Sequence, residues 1–225
     1  MRGIISQSNF IPWRGYFASA RLATVSIFYD SQQFTRRDWR NRNILLANHQ
    51  PIWLTLPVKS AGEYLCSINK IQLVDEKSVL RTLDKLKSTY RGYYREENYK
   101  FVASIFEDCR KFTLLSEVNW HTTKKIAEYL EIDCRFESDQ GVDLIGDKNE
   151  KLISACKYFK IKHYLSGPSA IGYLDTQKFE VNDINVEILN FSSLPKIESS
   201  QEPSIIHWIL TQTREKCIQL TTFSK

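Results

Sequence analysis

Residues 2–30 read RGIISQSNFIPWRGYFASARLATVSIFYD, and this stretch decides the fold class. Two short runs of apolar and β-branched residues, 3–6 and 24–29, predict buried strands. Between them, apolar residues at helical spacing from Arg14 to Ala23 predict a helix, and Pro12 is placed to start it. A strand, a helix and a strand in this order are most simply a parallel pair with a right-handed crossover. The stretch therefore predicts an α/β fold.

The rest of the chain extends this pattern around a long helical stretch. Residues 44–47 and 52–56 flank a polar turn and predict a β-hairpin, and residues 68–74 predict a further strand. Apolar spacing then predicts a helical lobe around residues 76–131, inserted between two parts of one sheet. Beyond the lobe, strands are predicted at 134–137, 162–165 and 185–191, and helices at 151–159, 169–174 and 204–213. We expect one domain over residues 1–225, with a mostly parallel sheet flanked by helices.

Composition narrows the class of protein. The 225 residues are 42% hydrophobic, enough for a single core, and 31 basic against 26 acidic residues leave a net charge of +5. This mild surplus fits a protein that binds anions and does not by itself indicate nucleic acid. No apolar run approaches the roughly 18 residues of a membrane helix, and residues 1–10 do not form a signal peptide. Five scattered cysteines without a C-x-x-C pair predict reduced thiols in a cytoplasmic protein.

Polar residues follow the first predicted strand, where ligands bind in open α/β sheets. Gln7 and Asn9 offer neutral hydrogen-bonding groups, and the start of the next helix offers unpaired N–H groups to an anion. Trp13 and Tyr16 complete this candidate binding group. The alternative is a well-capped turn with both aromatic rings in the core.

A second candidate group follows the second strand and should lie at the same edge. Residues 36–42 contain four arginines, whose forked donors suit phosphate or carboxylate, and a tryptophan that offers a flat face to a ring. Asp30 is the candidate catalytic base. The alternative is a solvated run of charges. The predicted ligand-binding residues of this group are Gln33, Arg36, Arg37, Trp39, Asn41, Arg42 and Asn43.

A third candidate, Ser166 and Gly167, forms a small-residue turn after a later strand and would let a ligand approach the backbone. An ordinary strand–helix connection has the same pattern. No sequence signature of a nucleotide loop, a zinc site or a nucleophile elbow is present. The four histidines, His49, His121, His163 and His207, share no metal-ligand spacing, so we expect neither a metal nor another cofactor.

The chain resembles the WbqC-like family of bacterial proteins over most of its length. Two long blocks carry the resemblance, QSNFIPWRGYF at 7–17 and FYDSQQFTRRDWRNRN at 28–43. Weaker parts are Leu56-Pro57-Val58, the Ser166-Gly167 turn and Ser204-Ile205-Ile206. Three positions depart from the family pattern: Ser8 replaces a usual proline, and Ser31 and His207 replace acidic residues.

The resemblance implies a role in bacterial surface-polysaccharide (O-antigen type) assembly. It is consistent with a transferase that moves an acyl or aminoacyl group to an amino sugar carried on a nucleotide or lipid. The expected partners are an anionic small molecule, either a nucleotide sugar or an acyl donor, and an acyl-carrier or lipid-linked substrate, with no stable nucleic acid. Two alternatives stay open, a non-catalytic nucleotide-sugar binding or scaffold protein and a single-stranded nucleic-acid binding protein.

Overall fold

A five-stranded parallel sheet flanked by helices forms the centre of the protein, which confirms the predicted α/β class. The computed structural model describes residues 1–48, 50–63, 65–197, 199 and 201–224. The strands are β1 (Arg2–Ser6), β2 (Val25–Phe28), β3 (Arg42–Ala47), β4 (Gln50–Thr55), β5 (Arg135–Ser138), β6 (His163–Ser166) and β7 (Asn185–Ile188). The helices are α1 (Arg14–Leu22), α2 (Ser78–Thr89), α3 (Glu96–Asp108), α4 (Leu115–Tyr129), α5 (Lys148–Tyr158), α6 (Thr176–Val181), α7 (Ile205–Thr211) and α8 (Arg214–Leu220).

The sheet has the order β5-β2-β1-β6-β7, so the first strand lies at its centre. Gly3 pairs with Val25 on one side and Tyr164 on the other, all in parallel register. Because successive side chains of a strand point to opposite faces, Ile4 enters the larger hydrophobic core and Ile5 the smaller one. Both faces of β1 are therefore covered, as its continuous apolar run requires.

The predicted hairpin and helical stretch lie between β2 and β5 in the chain. Strands β3 and β4 pair with each other in antiparallel register, from Arg42 opposite Thr55 to Ala47 opposite Gln50, and form a separate sheet. Helices α2, α3 and α4 follow. In α4, Trp120 stacks on Phe28 of β2 with ring centroids 5.7 Å apart, which fixes the lobe against the sheet. No helix in the described part of the chain has the length and apolarity to span a membrane.

The strand predicted at 68–74 is wrong. Residues Ile68–Lys70 form a turn of 3-10 helix, and only isolated bridges follow, such as Leu73 with Val58. The buried residues are Ile68, Ile71 and Leu73, and the first spacing of three fits a helical turn better than a strand.

The helix predicted at 169–174 is also wrong, since only Pro168–Ala170 form a short 3-10 turn. Helix α6 begins later because the Asp175 side chain accepts a hydrogen bond from the Lys178 N–H. Thr213 caps α8 in the same way and divides the predicted last helix from a second one. Pro12 lies two residues before α1 and does not start it, since Trp13 holds the capping position. His49, in the predicted hairpin turn, lies outside the described residues.

Candidate functional site

A cleft of about 650 Å³ opens at the carboxyl ends of β1 and β6. Its walls come from the loop after β1, the first turns of α1 and the loops after β6 and β7. Six residues singled out in the sequence line it: Gln7, Asn9, Trp13, Tyr16, Ser166 and Gly167. The cleft lies at the sheet edge where the parallel topology places ligand sites.

Arg40 brings one positive charge to the cleft. Its side chain is only 13% exposed, and one guanidinium nitrogen donates to the carbonyls of Gln7 and Ser8, both at 3.2 Å, and to the Asn9 side-chain oxygen. Asp38 lies 3.6 Å away. Arg40 therefore holds the loop after β1 in place while it lines the cleft, and its buried Nε has no hydrogen-bond partner among the described residues.

The loop after β1 is strained where it turns towards α1. Ile11 is fully buried and has a φ of 41°, a left-handed conformation that is an outlier for a β-branched residue. Asn43 compensates by donating to the carbonyls of Phe10 and Ile11, both at 3.0 Å, and the Ser204 hydroxyl donates to Ile11 at 2.6 Å. Such strain persists only where neighbouring contacts impose it. Asn43 is 3% exposed and does not line the cleft, and its amide braces the loop.

Asp30 is a second brace. It is fully buried; one carboxylate oxygen accepts the Ser8 N–H at 2.8 Å and the other the Trp120 indole N–H at 2.7 Å. Burial raises the pKa of Asp30, the hydrogen bonds from Ser8 and Trp120 oppose this, and the nearby Asp139 raises it further. Asp139 in turn accepts from the Asp30 N–H at 3.0 Å. The carboxylate does not line the cleft, so the geometry gives no support to the prediction that Asp30 is the base.

The lining of the cleft also contains aromatic rings and a second cation. Lys148, the first residue of α5, has its ammonium 5.5 Å from the centre of the Tyr173 ring. Burial raises the pKa of Tyr29 to about 12, with Asp139 and Tyr173 adding to the effect, so the phenol is protonated at neutral pH and can donate a hydrogen bond. Trp13 packs edge-on against Phe191 at 4.9 Å. The lining offers flat apolar faces beside a positive charge.

The remaining predicted residues do not enter this cleft. Arg36, Arg37, Asn41 and Arg42 surround a separate cavity of about 280 Å³. Trp39 lines another cavity, and the Gln33 backbone forms an isolated bridge with Ser67. The expectation that residues 36–43 and Asp30 share one cleft with Gln7 and Asn9 is therefore wrong, because the side chains of this segment point to different sides and only Arg40 turns inwards.

Sequence reasoning did not single out three residues of the cleft wall, Tyr29, Lys148 and Tyr173. A signal existed for Lys148: Asp147 and Glu150 form a reciprocal capping box, which marks the start of a helix in the sequence. Nothing in the sequence placed Tyr173 opposite Lys148. Within the described residues, no group of three or more His, Cys, Asp or Glu is arranged to hold a metal ion.

Comparison of the sequence with known proteins identifies a matching family and a relative. The model of the WbqC-like protein family matches residues 7–208. Rv1507c of Mycobacterium tuberculosis, described as an uncharacterized protein, is 32% identical over 191 residues, which cover 81% of this chain and 79% of that protein. No solved structure matches the chain.

Proposed function

This chain belongs to the WbqC-like protein family, and from that premise we propose that it is a transferase of bacterial surface-polysaccharide assembly. The proposed reaction transfers an acyl or aminoacyl group to the amine of an amino sugar carried on a nucleotide or a lipid. The proposed location is the cytoplasm, which fits the five free thiols, since reduced cysteines are typical of a reducing compartment.

The charge of the cleft lining is the observation that carries the proposal. Arg40 and Lys148 line the cleft, and its described lining contains no Asp, Glu, His or Cys. A site with cations and no carboxylate favours an anion, and the rings of Trp13 and Tyr173 provide apolar surface for the rest of the ligand. A nucleotide-linked sugar or a phosphate-bearing acyl donor combines these two properties.

The chemistry needs positioning more than acid–base groups. The amine nitrogen attacks the carbonyl carbon of a thioester or activated ester and forms the C–N bond. The C–S or C–O bond breaks, and the departing thiolate or alkoxide takes up the proton that the amine gives up. Tyr29 and Ser166 can donate hydrogen bonds to the carbonyl oxygen. Holding two reactants in attacking geometry can by itself account for several orders of magnitude in rate.

A non-catalytic nucleotide-sugar binding protein is the second candidate. It is favoured by the same described lining, which has no carboxylate, imidazole or thiol to act as a base. A single cleft of about 650 Å³, with Arg37 and Arg42 at a separate cavity, supports a small ligand over a nucleic-acid strand, which would need a continuous basic groove.

Calorimetric titration with UDP-N-acetylglucosamine and acetyl-coenzyme A tests the site. Lys148→Met removes an exposed cation from the cleft, and Lys157→Met on the same helix is the matched control. A lost charge-assisted bond is worth about 1.5–3 kcal/mol, so affinity should fall roughly ten-fold or more in Lys148→Met only.

Arg37→Lys and Arg42→Lys are control variants outside the cleft. The sequence predicted that both arginines bind the ligand, whereas their position at a separate cavity predicts unchanged affinity for the cleft ligand in both variants. Loss of affinity in these variants, with none in Lys148→Met, would move the anion site out of the cleft. Mass spectrometry of ligands retained by the purified protein identifies the bound compound, and amide formation from it separates the transferase from the binding protein.

A further inference from the structure

Two exposed tryptophans form a platform on the outer side of the segment that lines the cleft. Trp39 is 41% exposed and Trp53 38% exposed, and their ring centroids lie 5.3 Å apart with a tilt of 34°. Both rings line one cavity of about 470 Å³, within the range of roughly 300–1,000 Å³ that small-molecule sites occupy. Two large rings that lie side by side and partly in solvent form a contiguous apolar patch, which is the kind of surface that ligand sites use.

The platform is held rigid before any ligand arrives. The Arg42 guanidinium lies over the Trp53 ring at 4.1 Å, and Lys85 donates to the Trp53 carbonyl at 2.9 Å. The Trp39 carbonyl accepts the Phe10 N–H at 2.9 Å, and the Trp39 N–H donates to Asp38 at 2.7 Å. The backbone bonds fix where each tryptophan starts, and the contact between the two rings and the Arg42 guanidinium restrict the rings themselves, so less side-chain entropy is lost when a ligand stacks on them.

The polar rim of the cavity selects among flat ligands. Gln201 and Glu202 complete its lining, and Glu202 is oriented by the buried Arg14, whose Nη2 lies 2.6 Å from Oε1. The Gln201 amide can donate and accept hydrogen bonds with hydroxyl groups, and the Glu202 carboxylate can accept them. Arg14 pairs with both oxygens of Glu202, at 3.0 and 2.6 Å, so the charge of this carboxylate is balanced. The described lining of the cavity includes no cation to hold a phosphate, so the cavity suits a neutral ligand better than a nucleotide.

We propose that the Trp39–Trp53 platform is a second binding site, which takes a neutral pyranose saccharide. One face of a pyranose ring presents C–H groups, which fit the electron-rich face of an indole, and its equatorial hydroxyls point outwards to Gln201 and Glu202. The site stands apart from the cleft, because Trp39 and Arg40 are neighbours whose side chains line different cavities. The proposal does not depend on the reaction assigned to the cleft.

Saturation-transfer NMR and calorimetry with methyl β-glucopyranoside and cellobiose test this site in the full chain. Saturation should pass to the C–H protons of the sugar ring, and Trp39→Ala should weaken binding by about five-fold or more, since the apolar contact between the indole face and the C–H face of the sugar is lost. Gln201→Ala, which leaves both rings in place, should weaken it about two- to ten-fold. Lys148→Met should bind the saccharides as the wild type does.

Several outcomes would overturn the proposal. The first is the absence of saturation transfer to both saccharides. The second is unchanged binding in both Trp39→Ala and Gln201→Ala. The third is loss of binding in Lys148→Met, which would place the sugar in the cleft. Uridine is the competing probe: stacking of uridine that depends on Trp39, without saccharide binding, would make the platform a nucleobase site. Melting temperatures of the variants establish that each remains folded, and Gln201→Ala keeps the test decisive should Trp39→Ala not fold.

Discussion

Asn43→Ala tests whether Asn43 supports the loop after β1 or contacts the ligand, because the sequence predicts the second role and the structure supports the first. The Asn43 amide donates to the carbonyls of Phe10 and Ile11, both at 3.0 Å, and its oxygen accepts the Ile44 N–H at 2.8 Å. Each buried bond has a net value of about 1 ± 0.5 kcal/mol, so losing three should lower the free energy of unfolding by roughly 2–4 kcal/mol. At about 2–4 °C per kcal/mol for a chain of this size, the melting temperature should fall by about 4–16 °C.

Asn41→Ala is the matched control, two residues away in the same segment. The Asn41 amide donates one bond, to the Leu56 carbonyl at 3.0 Å, so the expected loss is about 1 kcal/mol. Urea unfolding monitored by circular dichroism measures the free energy of unfolding of both variants. An unchanged dependence of this free energy on urea concentration shows that the substitution altered stability alone.

Affinity for the cleft ligand should also fall in Asn43→Ala, because the loop that carries Gln7 and Asn9 relaxes from the strained conformation at Ile11. The reasoning is refuted if stability changes by less than about 0.5 kcal/mol while ligand binding is lost. That result would return Asn43 to the role that the sequence predicted, a residue that contacts the ligand.

Three further predictions concern Asp30, Gly15 and metal. Burial raises the pKa of Asp30 above its ordinary value of 3.8, so the protonated carboxyl stabilises the folded state fully below pH 3.8, and this stabilisation is lost as pH rises through the folded-state pKa. In urea titrations over this pH range, the free energy of unfolding of the wild type relative to Asp30→Asn should therefore fall as pH rises, and a rise would mean that the hydrogen bonds from Ser8 and Trp120 outweigh burial. Gly15→Ala should reduce ligand affinity and change tryptophan fluorescence, because the new Cβ would lie 2.2 Å from the Trp13 ring and displace it; a higher melting temperature with unchanged affinity would contradict this. EDTA should leave calorimetric affinity for the cleft ligand unchanged, and a loss restored by Zn²⁺ or Mg²⁺ would show a metal that the sequence and the described residues do not predict.

The sequence alone determined the order of the main elements, because apolar periodicity reports directly which faces a segment buries. The parallel pairing of β1 and β2 and the helical insertion could be predicted in this way. The segment at 68–74 could not, since isolated bridges and a 3-10 turn bury the same residue types as a strand. The sequence also did not predict the start of α6, because it depends on one capping hydrogen bond of the Asp175 side chain and not on apolar periodicity.

The candidate site was likewise predicted in part from the sequence and decided in part by tertiary packing. A polar loop after a buried strand predicted Gln7 and Asn9 at the cleft, because strand order and chain direction are enough to place the loop at the edge of the sheet. The direction of each side chain in residues 36–43 was decided only by tertiary packing. Arg40 turns towards the carbonyls of the first loop and Asn43 is drawn under Ile11, whereas Trp39 faces outwards onto Trp53. An irregular segment has no fixed period, so its sequence does not say which side chains face a ligand and which hold the backbone in place.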